Sequence, residues 1–178
     1  MPIWPLKEKQ NKLPTENEAG SFWEDRGDRH HCGIDLYSEV SNDVFAIESG
    51  KVIEVGLMTS PELIHYWNST YFVIIQNTTG NYWKYGEMNE VSVRVGDEVN
   101  EGQKVGTVGL VLNSDEINET SPKYIQKLKG KNPSMLHLEL FSNNPIARHE
   151  KYLGGNWFDD EKPGQLLDPT KVLDEILK

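Results

Sequence analysis

Fifteen glycines and nine prolines are scattered along the whole chain rather than gathered into linkers. Long helices do not survive such breaks, because proline removes an amide donor and glycine costs backbone entropy, whereas short strands fit between them. The intervening runs have strand composition. Asp43 to Glu48, Lys51 to Val55, Thr70 to Gln76 and Tyr82 to Tyr85 are β-branched or aromatic and are bounded by Gly, Asn or Ser. Val91 to Val95 and the stretch Gly96 to Gly106 alternate strand with tight turns, and Leu136 to Phe141 is a further strand. The expected fold class is all-β: packed antiparallel sheets with a short C-terminal helix. That helix is expected over Asp168 to Leu177 with Asp168 as its cap, and a second short one over Pro122 to Leu128 with Ser121 as cap.

A chain of 178 residues fits one domain around one core. Within it, residues 1–28 read as an extended arm without regular structure, 29–145 as a β core, 112–132 as an insertion and 146–178 as a tail carrying the helix. The 28 acidic residues outnumber the 18 basic ones, giving a net charge of −10. A field of that sign opposes phosphate backbones, so nucleic acid is not an expected partner. No apolar run approaches the roughly 20 residues of a membrane span. The N-terminal Met1-Pro2-Ile3-Trp4-Pro5-Leu6 is followed by charges and lacks the features of a secretory signal. The expectation is a protein cytoplasmic when made, already trimmed, or delivered by another route; its localisation is unknown from sequence. The single cysteine, Cys32, excludes an internal disulfide and reads as a small buried filler.

Two places carry chemistry. His31 and Asp35 are four residues apart with Gly33 between them, a spacing that lets an imidazole and a carboxylate turn toward one cation; a surface or capping role is the alternative. In Met135-Leu136-His137-Leu138-Glu139-Leu140, period-2 alternation puts Met135, His137 and Glu139 on one face and the leucines on the other. The polar stripe is then either the solvated side of a sheet or a ligand-bearing one. His65 and His149 have no spaced partner and read as surface residues. Tyr66, Trp67, Tyr71, Tyr82 and Trp83 are candidates for a groove lining or for core packing.

In order and spacing these segments resemble the lysostaphin/LytM-type zinc metallopeptidases. Arg29 to Leu36 is similar to the first motif of that family, Val44 to Val52 to its next hairpin, Val95 to Gln103 to its Gly-Asp turn, and Leu136 to Leu140 to its last motif. The resemblance runs over roughly residues 29 to 145. It implies a barrel-sandwich fold of the duplicated hybrid motif type and a Zn²⁺ ion held by His31, Asp35 and His137. It further implies cleavage of peptidoglycan peptides. Family members normally carry two further histidines, where this chain has Glu87 and Met135. Glu87 can accept a proton and takes the general-base role; Met135 cannot. Tyr85 is assigned to steadying the oxyanion, and the 112–132 insertion to one wall of the groove. The expected activity is therefore that of a zinc endopeptidase acting on the cell wall. The alternatives are a catalytically silent LytM-like module that binds peptidoglycan or activates a protein partner, and a phage or secretion-apparatus component built on the same fold.

Overall fold

A computed structural model describes residues 1–131, 133–143, 145–146 and 148–178. Asn132, the last residue of the expected insertion, lies outside these, as do Asn144 and Ala147. The strands in chain order are β1 (His30–His31), β2 (Ile34–Tyr37), β3 (Asp43–Phe45), β4 (Gly50–Thr59), β5 (Thr70–Asn77), β6 (Tyr82–Val91), β7 (Glu98–Val99), β8 (Lys104–Val108), β9 (Met135–Phe141), β10 (Tyr152–Leu153), β11 (Asn156–Trp157) and β12 (Leu166–Leu167). Two α-helices join them, α1 (Lys123–Gln126) and α2 (Thr170–Leu177). The fold is mostly β, as its glycine and proline spacing implies.

The main sheet has nine strands, all paired antiparallel, with β12-β9-β6-β5-β4-β7 as its spine. Strand β2 adds to β9, and β8 links β6 to β3. A second, three-stranded sheet runs β1-β11-β10. Strand β6 is the axis of the site: its first half pairs with β9 and its second half with β8. The apolar residues of β9, Leu136, Leu138 and Leu140, face the main core with Val73, Ile75, Trp83 and Tyr85. Burial of this kind stabilises a sheet by about 25 cal/mol per Å² of apolar surface. Met135, His137 and Glu139 face the other way, and this face is covered as well: His137 and Glu139 are 1% and 0% exposed. The stripe is therefore not a solvated sheet surface.

Several local expectations are corrected. The first helix covers only Lys123–Gln126 and has no side-chain cap; Ser121 Oγ instead accepts from the Asn118 N–H. In the final helix Asp168 Oδ1 does accept the Thr170 N–H at 2.9 Å, while Pro169 is the residue at the cap. Residues 92–95 leave the strand, since β6 ends at Val91. The arm has only isolated bridges, Leu6 to Val44 and Asp25 to His30, and its Trp4, Leu6 and Leu13 are buried in the main core. Cys32 is buried in a separate cluster with Phe141, Ile146, Trp157 and Leu166. His65 and His149 are exposed.

Candidate metal centre

Cross-strand register assembles the centre. Asp35 of β2 is the direct partner of His137 of β9, and directly opposed residues have Cβ atoms about 4.5–5.5 Å apart on the same face. On the other edge of β9, His137 is opposite Gly86 of β6, which presents no side chain to crowd the ring. His31, at the end of β1, reaches the same point just before the Cys32–Gly33 link that leads into β2. Gly33 is required there, because a Cβ would lie 2.2 Å from Leu138 O.

Three donor atoms then meet. His31 Nε2 is 3.0 Å from His137 Nδ1 and 3.1 Å from Asp35 Oδ1, and His137 Nδ1 is 3.0 Å from the same oxygen. All three residues are buried. Each imidazole has its outer nitrogen committed to an acceptor: His31 Nδ1–H donates to Ser21 O at 2.8 Å, and His137 Nε2–H donates to Glu139 Oε1 at 2.8 Å. With neutral rings, these bonds leave both inner nitrogens as lone pairs, facing each other and a carboxylate oxygen. Such a triangle is repulsive unless a proton or a cation lies among the three atoms. A tetrahedral ion with ligand bonds of about 2.0–2.2 Å holds its ligands about 3.3–3.6 Å apart, so the triangle needs to open by only a few tenths of an ångström. Two imidazoles and one carboxylate are a donor set that suits zinc with one position left open. The residues fit such an ion.

The electrostatics agree. Burial by itself would depress the His137 imidazole, but its hydrogen bonds and proximity to Asp35 and Glu139 outweigh this and push it up to about 9. Burial lowers His31, against the pull of Asp35. Burial would also raise Asp35, yet the two imidazoles hold it well below the usual carboxylate range. Features that retain a proton at this point also attract a divalent cation.

Glu87 lines the cleft beside Asp35, at a break in strand register. Tyr71 pairs with Met88 and Val73 with Tyr85, so Phe72 faces both Gly86 and Glu87, and Glu87 takes φ of 59°. Such a bulge redirects one side chain at the rim of a site. Burial, and then the charge of Asp35, push the Glu87 carboxyl up to about 7. A non-glycine residue in this left-handed region is strained. Glu87→Gly is therefore expected to raise the free energy of unfolding by about 0.5–1 kcal/mol in a urea titration, while removing a carboxylate that lines the cleft. A loss of stability in that variant would show that Glu87 anchors the bulge instead.

Tyr85, expected near the oxyanion, lies elsewhere. It is opposite Leu138 rather than His137, so it points into the main core, where its hydroxyl accepts the Ile47 N–H at 2.8 Å. Its hydroxyl is not brought to the metal ligands, and the oxyanion role has no support. Met135 lines the cleft but supplies no proton donor.

The cleft has a volume of about 300 Å³. Leu112, Tyr124, Ile125 and Leu128, all within the expected insertion, line one side of it. Tyr66 and Trp67 also line it, whereas Trp83 is in the core. Sequence reasoning missed Arg26, which lies in the same cleft, 3.6 Å from Asp35 Oδ2, and bonds Glu24 and Asn156. It missed Lys84 and Tyr152 too, whose only sequence signal is a lysine inside an aromatic strand.

Residues 29–144 match the profile of Peptidase family M23. The chain belongs to that family. Over 95 residues this M23 chain is 34% identical to Endolysin 2638A of Staphylococcus phage 2638A, a match covering 52% of the chain and 18% of the endolysin. Over 79 residues it is 30% identical to lysostaphin of Staphylococcus simulans, covering 44% of the chain and 15% of lysostaphin. The chain thus spans less than a fifth of either relative. Among solved structures, the catalytic domain of S. simulans lysostaphin superposes with a TM-score of 0.55 at 19% identity, covering 93% of this chain and 92% of that domain. The catalytic domain of the prophage-encoded M23 protein EnpA from Enterococcus faecalis gives 0.51 at 21% identity, covering 92% and 93%. The M23 chain therefore has the lysostaphin-like fold, with its antiparallel sheets and short C-terminal helix. Among the described residues no helix is long and apolar enough to cross a membrane.

Proposed function

We propose that this M23 protein is a zinc-dependent endopeptidase that hydrolyses peptide bonds of peptidoglycan. The observation that carries the reading is the convergence of His31 Nε2, Asp35 Oδ1 and His137 Nδ1, with Asp35 and Glu87 both lining the cleft. Those three residues would hold the ion. When bound, zinc supplies Lewis acidity, which polarises a peptide carbonyl and acidifies water at its open position. Glu87 accepts the proton of the attacking water, being a carboxylate held close to neutral in a half-buried setting. The insertion residues Tyr124, Ile125 and Leu128, with Tyr66 and Trp67, form an apolar wall that orients an extended peptide and limits bulk water. Arg26 keeps Asp35 Oδ2 occupied electrostatically, leaving Oδ1 for the ion.

The substrate is proposed from the relatives: an endolysin and lysostaphin are 34% and 30% identical to about half of this chain, and peptide segments of the cell wall are polymers that an open cleft can admit. The test is release of new amino groups from purified peptidoglycan by zinc-loaded protein, compared with protein stripped by chelator. Release that requires zinc supports the reading. A zinc-loaded protein that releases nothing but sediments with the wall would favour the silent binding module, which the methionine at position 135 makes the second reading.

A further inference from the structure

Behind the metal ligands is a buried unit that the hydrolytic mechanism does not use. Glu139 of β9 is the direct cross-strand partner of Lys84 of β6, two pairs along from His137 and Gly86 and on the same face. Both side chains are sealed from solvent, at 1% and 0% exposure. A single oxygen, Glu139 Oε1, takes three contacts: His137 Nε2–H at 2.8 Å, the Tyr152 hydroxyl at 2.5 Å and Lys84 Nζ at 3.3 Å. Lys84 Nζ also bonds the Tyr152 oxygen and lies 4.3 Å from the centre of that ring and 5.0 Å from that of Phe72. Tyr152 is anchored in turn by the Gly155 N–H, and Gly155 lacks a Cβ that would lie 2.7 Å from His137 Nε2.

Stability is a poor reason for this arrangement. Glu139 Oε2 is buried with no hydrogen-bond partner, and a buried ion pair is often matched or bettered by apolar groups of the same size. Tautomer control is a better one. Asp35 Oδ1 lies 3.0 Å from His137 Nδ1 and accepts a proton there readily; a ring carrying its proton on Nδ1 presents no lone pair to an ion. Glu139 draws the proton to the other nitrogen. We infer that Glu139, fixed by Lys84 and Tyr152, is a positioning residue that holds His137 with its Nδ1 lone pair aimed at the ion, so that it sets zinc affinity without touching zinc. The inference rests on the zinc reading above and deepens it, and an acceptor of this kind behind a metal-bound histidine typically governs affinity by 10- to 100-fold.

The test uses the full chain and compares zinc dissociation constants, by chelator competition, for wild type, Glu139→Gln, Glu139→Leu and the double variant Lys84→Met/Glu139→Leu. Gln retains a carbonyl acceptor and should bind more tightly than Leu, whose affinity should fall about 10- to 100-fold. The double variant replaces the whole ion pair with apolar groups, so it should fold at least as stably as Glu139→Leu. It should nevertheless bind zinc as weakly. Nitrogen-15 spectra of the metal-free proteins, recorded where the ring is neutral, should place the His137 proton on Nε2 in wild type and move it to Nδ1 in both Leu variants. A merely structural Glu139 predicts the opposite pattern, with affinity recovering as folding recovers in the double variant. Recovery to wild-type affinity there, or full affinity in Glu139→Leu, overturns this inference alone. Wild-type protein that takes up no zinc overturns the zinc reading and this inference together.

Discussion

Glu87→Gln should lower turnover on peptidoglycan by roughly 10²- to 10⁴-fold, the usual span for loss of a general base, while zinc binding stays unchanged. Gln has the shape of Glu and cannot accept the proton of an attacking water. The pH profile should separate the two proteins further. Burial and the neighbouring Asp35 charge push the Glu87 carboxyl from 4.5 up to about 7, and a cation at the ligand triangle pulls it part of the way back. The acid limb of kcat/KM for wild type is therefore expected between those two values, and Glu87→Gln should lack it. The raised carboxyl also acts on stability. Its protonated form is the one favoured by the fold, so in metal-free protein this contribution is fully present below 4.5 and lost as pH rises through about 7. Metal-free protein should thus lose stability over that window more steeply than zinc-loaded protein. Equal turnover by wild type and the Gln variant would mean that some other group activates the water.

Gly33→Ala should be among the most damaging single-methyl changes at the described glycines. The added carbon would sit 2.2 Å from Leu138 O and 2.9 Å from His137 Cε1, and neither a strand carbonyl nor a metal ligand can yield at small cost. Relief requires β2 to move off β9, which separates Asp35 from His137. The expected result is a loss of at least about 3 kcal/mol of stability, at the upper end for overpacking, with weakened zinc retention. Gly164→Ala is the control: nothing lies within 4 Å of its Cβ position, so the change should stay within about 0.5 kcal/mol. Equal behaviour of the two variants would show that the β2–β9 contact does not set the site.

The three residues were named as a ligand set through the family resemblance; spacing and alternation, which are local, marked them only as candidates with structural alternatives. His31 and Asp35 bracket a glycine, and period-2 alternation alone sets His137 apart from the leucines of β9. Tyr85 shows where that reading ends. It was assigned to the oxyanion, but the register that pairs it with Leu138 sends it into the core, and register is a long-range property. The bulge at Glu87 is likewise invisible to periodicity, since one extra residue in β6 breaks the very pattern being read. Lys84 was missed because its meaning depends on Glu139, 55 positions away. The arm was read as an extended segment pinned at a few points, which gave no hint that it supplies Ser21 O to His31 and Arg26 to Asp35.

The proposed hydrolysis depends on an ion at the triangle of His31, Asp35 and His137. Zinc content per chain, measured by elemental analysis on wild type and on His137→Ala, tests it most directly. The account predicts close to one zinc per chain in wild type and a large loss in the variant, with the fold retained because the main core lies on the opposite face of β9. Wild type without zinc after loading, or a His137→Ala variant with undiminished zinc, would contradict it.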